Sequence, residues 1–223
     1  MATSRTYGQS CAAAHALDLV GERWALLIVR ELLLGPKRFT DLRSGLAHAS
    51  ANVLAERLRE LETHGVVRRR KLGPPARTWV YELTEWGKEL EPVIIALGRW
   101  GVRSPFRPQA EAGSDSIVLA LKALFDPDAA KGLAATFEVR FGDEPFIVQV
   151  ARGRIELDRG DAEAPDATIE TDPSTFGALI TGSADLADAI KAGTVQLSGD
   201  GKMFSRFLDA IRLPEPVGAD ATR

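Results

Sequence analysis

The sequence predicts an α+β protein made of two modules, and three observations carry this expectation. Apolar residues repeat at intervals of three and four through much of the first 105 residues, as in helices that pack around a core. Residues 66–83 form two short β-prone runs around Gly73-Pro74-Pro75, as a hairpin does. Residues 114–213 instead alternate short helical and strand-like segments, which indicates a mixed α/β domain.

The two halves differ in charge. Residues 1–105 contain 16 Lys and Arg against 11 Asp and Glu, whereas residues 106–223 contain 12 against 20. The net charge of −3 therefore hides a basic first half at +5 and an acidic second half at −8. A polyanion is attracted to the first half and repelled by the second, so we expect modules with different partners.

The first helices of the chain end and begin at recognisable signals. A helical pattern through Trp24, Ile28 and Leu32 stops at Gly35-Pro36. A short helix follows, with Leu42 and Leu46 as its apolar face.

The next helix has both of its ends marked. Ser50 is a good N-cap, and Gly65 ends the helix after His64. The core face of this helix consists of Leu54, Leu58 and Leu61. A pair of short helices followed by a hairpin predicts a winged helix-turn-helix.

The hairpin carries four consecutive cations, Arg68 to Lys71, on its first strand. Thr84 then caps a final helix that runs to about Trp100, and Pro92 is expected to bend it. Its stripe of Leu90, Val93, Leu97 and Trp100 is either intramolecular core or a dimer interface. We favour the dimer, because two-fold symmetry suits palindromic DNA sites.

Such a unit binds double-stranded DNA by placing the start of its second helix in the major groove. Asn52 can pair with adenine, and Arg57 can pair with guanine or a phosphate. The alternative is that the hairpin charges only solvate a surface. The residues expected to contact DNA are Arg38, Thr40, Ser50, Asn52, Val53, Arg57, Arg68, Arg69, Arg70, Lys71 and Arg77.

An ordered series of motifs resembles the HxlR-type winged-helix regulators of bacteria. The motifs are Cys11, Val20-Gly21-Glu22-Arg23-Trp24, Leu26 to Leu32, Gly35 to Arg43, Leu58-Arg59-Glu60-Leu61-Glu62 and Tyr81 to Gly87. The resemblance covers residues 8–101. It implies a homodimeric transcription factor whose first and last helices form the dimer and whose residues 50–57 read the operator. Asn52 between Ala51 and Val53 departs from many relatives, so base preference is not carried over.

The same resemblance implies a redox role for Cys11, since some members of the family sense oxidants or electrophiles through a cysteine at this position. The alternative is an inert small apolar residue, because Arg5 and His15 are the only nearby residues in the sequence that could lower the pKa of its thiol.

The second module resembles the sterol-carrier-protein-like domain. The resemblance lies in Thr168 to Pro173 leading into the Phe176 helix, followed by Gly193 to Asp200. It implies a sheet with helices over one face and, in many relatives, an apolar tunnel. The alternative is an ordinary core. The candidate ligand-binding residues are Phe137, Phe141, Val148, Ile169, Phe176, Leu179, Ile180, Ile190, Met203 and Phe207.

The expected organisation is a DNA-binding and dimerisation domain at 8–104, a linker at 105–113, a ligand-binding domain at 114–213 and a disordered tail at 214–223. The spacing of His15, His48 and His64 suits no common zinc site, and we expect no catalytic residues, metal or cofactor. We expect a cytoplasmic protein without membrane contact. The alternative function is a carrier of lipids or hydrophobic molecules with an appended helical domain.

Overall fold

The protein is described by a computed structural model that covers residues 6–105 and 112–217. These residues form two units, divided between Ile94 and Ile95, which is earlier in the chain than the expected boundary at 104. Residues 106–111 of the expected linker and 218–223 of the expected tail lie outside the described residues. The functions assigned above to residues 8–104, 105–113, 114–213 and 214–223 therefore stay predictions.

Helices α1 (Ala12–Val20), α2 (Ala25–Leu32), α3 (Phe39–Gly45) and α4 (Ala51–Thr63) build the first unit. Strands β1 (Val67–Lys71) and β2 (Trp79–Leu83) follow as an antiparallel hairpin. The core of the unit is aliphatic and includes Ile28, Leu42, Leu54, Leu58 and Leu61. The signals read from the sequence, a helix-turn-helix followed by a hairpin, are confirmed.

The final helix of this module is broken, which differs from the expectation of one bent helix. α5 (Glu85–Lys88) begins at the Thr84 cap, and α6 (Glu91–Gly101) begins after a short gap. Pro92 therefore lies in the first turn of α6. Its ring lacks an N–H and clashes with the carbonyl four residues earlier, so a continuous helix through Lys88 is disfavoured.

The second unit contains α7 (Ser114–Leu124), a sheet, and three further helices. The strands are β3 (Ala135–Phe141), β4 (Glu144–Ala151), β5 (Arg154–Arg159), β6 (Ala167–Thr171) and β7 (Gln196–Gly199). Their order in the sheet is β5-β4-β3-β6-β7, with β3 and β6 parallel and the other pairs antiparallel. α8 (Pro173–Ile180), α9 (Leu186–Ala192) and α10 (Gly201–Asp209) complete it.

One face of this sheet carries the core of the unit. Alternate residues of β3 and β4, including Phe137, Val139 and Val148, are fully buried. The intervening positions, such as Gln149, are more polar. This alternation is typical of a sheet with one covered face.

Two residues of the described part of the expected disordered tail, Glu215 and Val217, form hydrogen bonds with Arg103. The Val217 backbone N–H donates to the Arg103 carbonyl at 2.9 Å. The Arg103 Nε donates to the Glu215 carbonyl at 3.1 Å. The expected disorder of residues 214–223 as a whole stays a prediction.

Candidate nucleic-acid interface

The start of α4 is exposed and capped. The Ser50 hydroxyl accepts the backbone N–H of Val53 at 3.3 Å, while Ala51 and Asn52 are exposed. Val53 is half-buried beside them. An Asn side chain in the exposed first turn of a helix can reach the edge of an adenine when that end of the helix enters the major groove. Asn52 thus lies where the sequence placed it.

The start of α3 is also exposed. Arg38 is its N-cap residue, and the Arg38 backbone N–H donates to Asp41 Oδ2 at 2.9 Å. Thr40, in the first turn, is likewise exposed. Arg38 and Thr40 are therefore accessible to a phosphate at the helix start.

Arg57 does not project freely into solvent, and this corrects the sequence-based expectation. Its side chain is only 12% exposed. It forms an ion pair with Glu60, and its guanidinium lies 3.7 Å from Glu22 and 3.6 Å from Glu56. Three carboxylates surround the guanidinium, so a contact of Arg57 with DNA would require these pairs to open.

The hairpin cations on one face share a single carboxylate. The Arg68 Nε donates to Glu82 Oε1 at 2.7 Å, and the Arg70 Nη2 donates to Glu82 Oε2 at 2.8 Å. The Arg70 guanidinium holds the pKa of the Glu82 carboxyl below its usual value, and Glu82 raises the pKa of Arg70. Both arginine side chains remain exposed.

The other face of the hairpin carries Arg69 and Lys71. The Arg69 guanidinium lies over the Trp79 ring, 4.5 Å from its centroid. Lys71 is exposed, as is Arg77, which follows the turn with a φ of 40°. The four consecutive cations thus differ in their surroundings, a distinction that their run in the sequence did not show.

A buried ion pair supports this surface, and sequence reasoning missed it. Lys37 Nζ lies 2.6 Å from Glu31 Oε2, and Arg30 Nη2 lies 2.8 Å from Glu31 Oε1. Lys37 also exchanges backbone hydrogen bonds with Tyr81 of β2. The pair therefore joins α2, the start of α3 and the hairpin. The only sequence signal was an acidic residue on the apolar face of α2.

Cys11 is exposed at the N-cap position of α1. The nearby backbone amides of Ala14 and Ala13 lower the pKa of the Cys11 thiol. A larger thiolate fraction at neutral pH increases the reactivity of a cysteine toward oxidants.

The candidate ligand residues of the second unit mainly build its core. Phe137 contacts Phe207 with ring centroids 5.0 Å apart, and Phe141 contacts Phe176 at 5.6 Å. Val148 and Ile169 are also fully buried, and Met203 is half-buried.

Ile190 does not belong to this inward set. Its side chain is 40% exposed, because it follows the buried Ala189 on the solvent side of α9. A cavity of about 480 Å³ does lie in this unit, and two of the ten candidates, Leu179 and Ile180, line it. Its lining also includes Ser183, Asp185 and Asp209, so it is less apolar than the expected tunnel.

Two further expectations concern the described residues as a whole. Within residues 6–105 and 112–217, no group of three or more His, Cys, Asp and Glu side chains could hold a metal ion. The helices in this part of the chain are all too short or too polar to span a membrane.

A helix pair with an exposed second-helix start, followed by a cationic hairpin, defines a winged helix-turn-helix unit. Residues 19–107 match the family model described as HxlR-like helix-turn-helix. The HTH-type transcriptional regulator YvaP of Bacillus subtilis is 40% identical over 85 residues, which are 38% of this chain and 79% of that protein. The regulator sll1512 of Synechocystis is 37% identical over 94 residues, 42% of this chain and 70% of that one. The chain belongs to the HxlR-like helix-turn-helix family.

Solved structures of similar sequence cover the same part. The redox regulator HypR in its oxidised form is 30% identical with a TM-score of 0.41, over 44% of this chain and 100% of that one. Quinone-bound YodB from B. subtilis is 36% identical with a TM-score of 0.35, over 40% and 93%.

Residues 118–217 match a different family model, the alkyl sulfatase C-terminal domain. A mixed helix and sheet domain is present there, as expected. The resemblance to sterol-carrier proteins stays a prediction.

Proposed function

We propose that this protein is a transcriptional regulator that binds double-stranded DNA through its first unit. The observation that carries the proposal is the exposure of the cationic hairpin in the same unit as the exposed start of α4. Arg68, Arg69, Arg70 and Lys71 place four positive charges on one strand. Relatives that match this unit bear the name of HTH-type transcriptional regulators.

In the proposed complex α4 enters the major groove by its first turn. Asn52 contacts a base, while Ser50 and the free N–H groups of the helix start hold a phosphate. Arg38 and Thr40 contact the backbone from α3, and the hairpin cations and Arg77 contact the neighbouring backbone or minor groove. Val53 packs beside Asn52 against a base, and Arg57 contributes only if its carboxylates release it.

The test is selection of bound duplexes from a random-sequence library, followed by titration of the recovered duplex. Asn52→Ala is expected to reduce discrimination at one base pair by roughly five- to a hundredfold. Glu62→Ala, an exposed change near the other end of α4, is the matched control and should leave discrimination unchanged. Failure of the wild-type chain to bind any duplex would refute the proposal.

The protein is proposed to act as a homodimer through α6. None of the eleven described residues of this helix is buried, and Val93, Leu97 and Trp100 are 48%, 49% and 75% exposed. An apolar stripe on a solvent-facing helix is typical of an interface. A dimer also doubles the DNA contacts at a palindromic site.

Two modes of control are proposed. Oxidation of Cys11 is supported by its exposure and its lowered thiol pKa. A hydrophobic small molecule in the second unit is supported by the cavity beside Leu179 and Ile180. We propose no catalytic activity for this chain. Its not being an enzyme stays a prediction.

A further inference from the structure

The hairpin surface divides into two faces with different chemistry. Strand alternation puts Arg68 and Arg70 on the face of Glu82, and it puts Arg69 and Lys71 on the face of Trp79. Arg68 is directly opposite Glu82 in the register, and Lys71 is opposite Trp79.

The Glu82 face is partly neutralised. Two guanidinium groups share one carboxylate there, with N–O distances of 2.7 and 2.8 Å. A phosphate that approaches the Nε of Arg68, or the Nε and Nη2 of Arg70, must compete with Glu82 for those N–H donors. For these two arginines, part of the free energy gained from a phosphate contact is therefore offset by the loss of the contact with Glu82.

Arg69 has a different environment. It makes no ion pair with any residue in the described part of the chain, and its guanidinium is stacked on Trp79 at 4.5 Å. Stacking on a ring face leaves the in-plane N–H donors of a guanidinium free for acceptors. Trp79 itself is 48% exposed, so the stacked pair lies at the surface.

We propose that Trp79 is a positioning residue, which holds Arg69 ordered on the hairpin so that its N–H edge contacts a DNA phosphate. Ordering a long side chain before binding removes part of the entropy cost of forming the contact. Arg69 then contributes more to DNA affinity than Arg68 or Arg70. This inference rests on the proposed DNA-binding function, and it adds a positioning role for Trp79, which is not a charged residue.

The experiment is a double-substitution cycle in the full-length protein, titrated against the duplex recovered by selection with wild type. Trp79→Leu is expected to weaken binding about two- to fivefold, the range for an exposed cation–π contact. Trp79→Phe, which keeps an aromatic face, should restore most of the loss. Arg69→Gln should weaken binding by more than Arg68→Gln does.

The cycle separates positioning from a general structural effect. In an Arg69→Gln background, Trp79→Leu should cause no further loss, whereas in an Arg68→Gln background it should cause its full loss. Trp79→Leu keeps every charge, so the slope of log affinity against log salt should stay at the wild-type value, while Arg69→Gln lowers its magnitude by about 1.

Equal losses from Trp79→Leu in both backgrounds would overturn the inference and leave DNA binding intact as a function. The same holds if Trp79→Leu binds as tightly as wild type. Failure of the wild-type chain to bind any duplex would instead overturn the proposed function. Thermal unfolding of each variant identifies a loss that comes from unfolding, and Trp79→Phe then decides the question.

Discussion

Lys37 Nζ lies 2.6 Å from Glu31 Oε2 inside the first unit, with side chains 10% and 2% exposed. Both charges are removed from water, and the Glu31 carboxylate is compensated by two cations, Lys37 and Arg30. Because Lys37 also pairs with Tyr81 through the backbone, the ion pair ties α2 to the hairpin. A side-chain carbon at Gly45 would collide with the same carboxylate, which explains a residue without a side chain there.

Glu31→Gln should lower the free energy of unfolding by about 3 kcal/mol, because the buried Lys37 and the neighbouring Arg30 then lose the negative charge of Glu31. Urea denaturation measures the change. Glu62→Gln, an exposed carboxylate on α4, is the control and should change stability by less than about 0.5 kcal/mol. An equally small effect at Glu31 would show that the pair contributes nothing to folding.

Glu82→Gln should tighten binding to duplex DNA roughly three- to tenfold at about 0.1 M salt, because it frees Arg68 and Arg70 for phosphates. The comparison is Glu85→Gln, which removes the same charge from α5 beside Lys88 rather than from the hairpin. Fluorescence anisotropy of a labelled duplex gives both affinities. Weaker binding by Glu82→Gln would mean that Glu82 orients the arginines rather than competing for them.

Leu97→Glu should shift the protein from dimer to monomer and weaken operator binding at least tenfold, because a charge is placed in the apolar stripe of α6. Sedimentation velocity reads the oligomeric state directly. Ile190→Glu makes the same change at an exposed site on α9 and should leave the dimer intact. A Leu97→Glu protein that still sediments as wild type would exclude this helix face as the interface.

Alkylation of Cys11 by iodoacetamide should reach half its maximal rate at a pH below that of an unstructured cysteine peptide. The Ala14 and Ala13 amides lower the thiol pKa, so the thiolate forms earlier as the pH rises. Rates measured from pH 6 to 10 against the peptide test this. A midpoint equal to or above that of the peptide would contradict the lowered pKa.

Local signals account for most of the correctly predicted fold. Ser50, Gly65 and Asp172-Pro173 mark helix ends through bonds within a few residues, and the structure places caps or turns at each. The alternation in residues 136–141 identifies β3 in the same way. Such features do not require knowledge of the tertiary contacts.

The errors arise from distant partners. Arg57 looks exposed from its helical position, but Glu22 from before α2 lies beside it. The Glu31–Lys37 pair depends on how α2 packs against the start of α3, and helical periodicity carries no information on that packing. Ile190 fits the apolar pattern of its helix, but its side chain is exposed to solvent. For the candidate interface, the sequence allowed us to predict which segments are exposed, namely the helix starts and the hairpin. It did not allow us to predict that Arg68 and Arg70 contact Glu82 while Arg69 contacts Trp79.

The cationic hairpin and the start of α4 are proposed to bind duplex DNA together. The most direct measurement is the salt dependence of duplex affinity for wild type and for a variant with Gln at positions 68, 69, 70 and 71. We expect a steep linear decrease of log affinity with log salt, and a slope smaller by about 2 to 4 in the variant, depending on how far Glu82 already neutralises Arg68 and Arg70. An unchanged slope, or no binding by wild type at low salt, would contradict it.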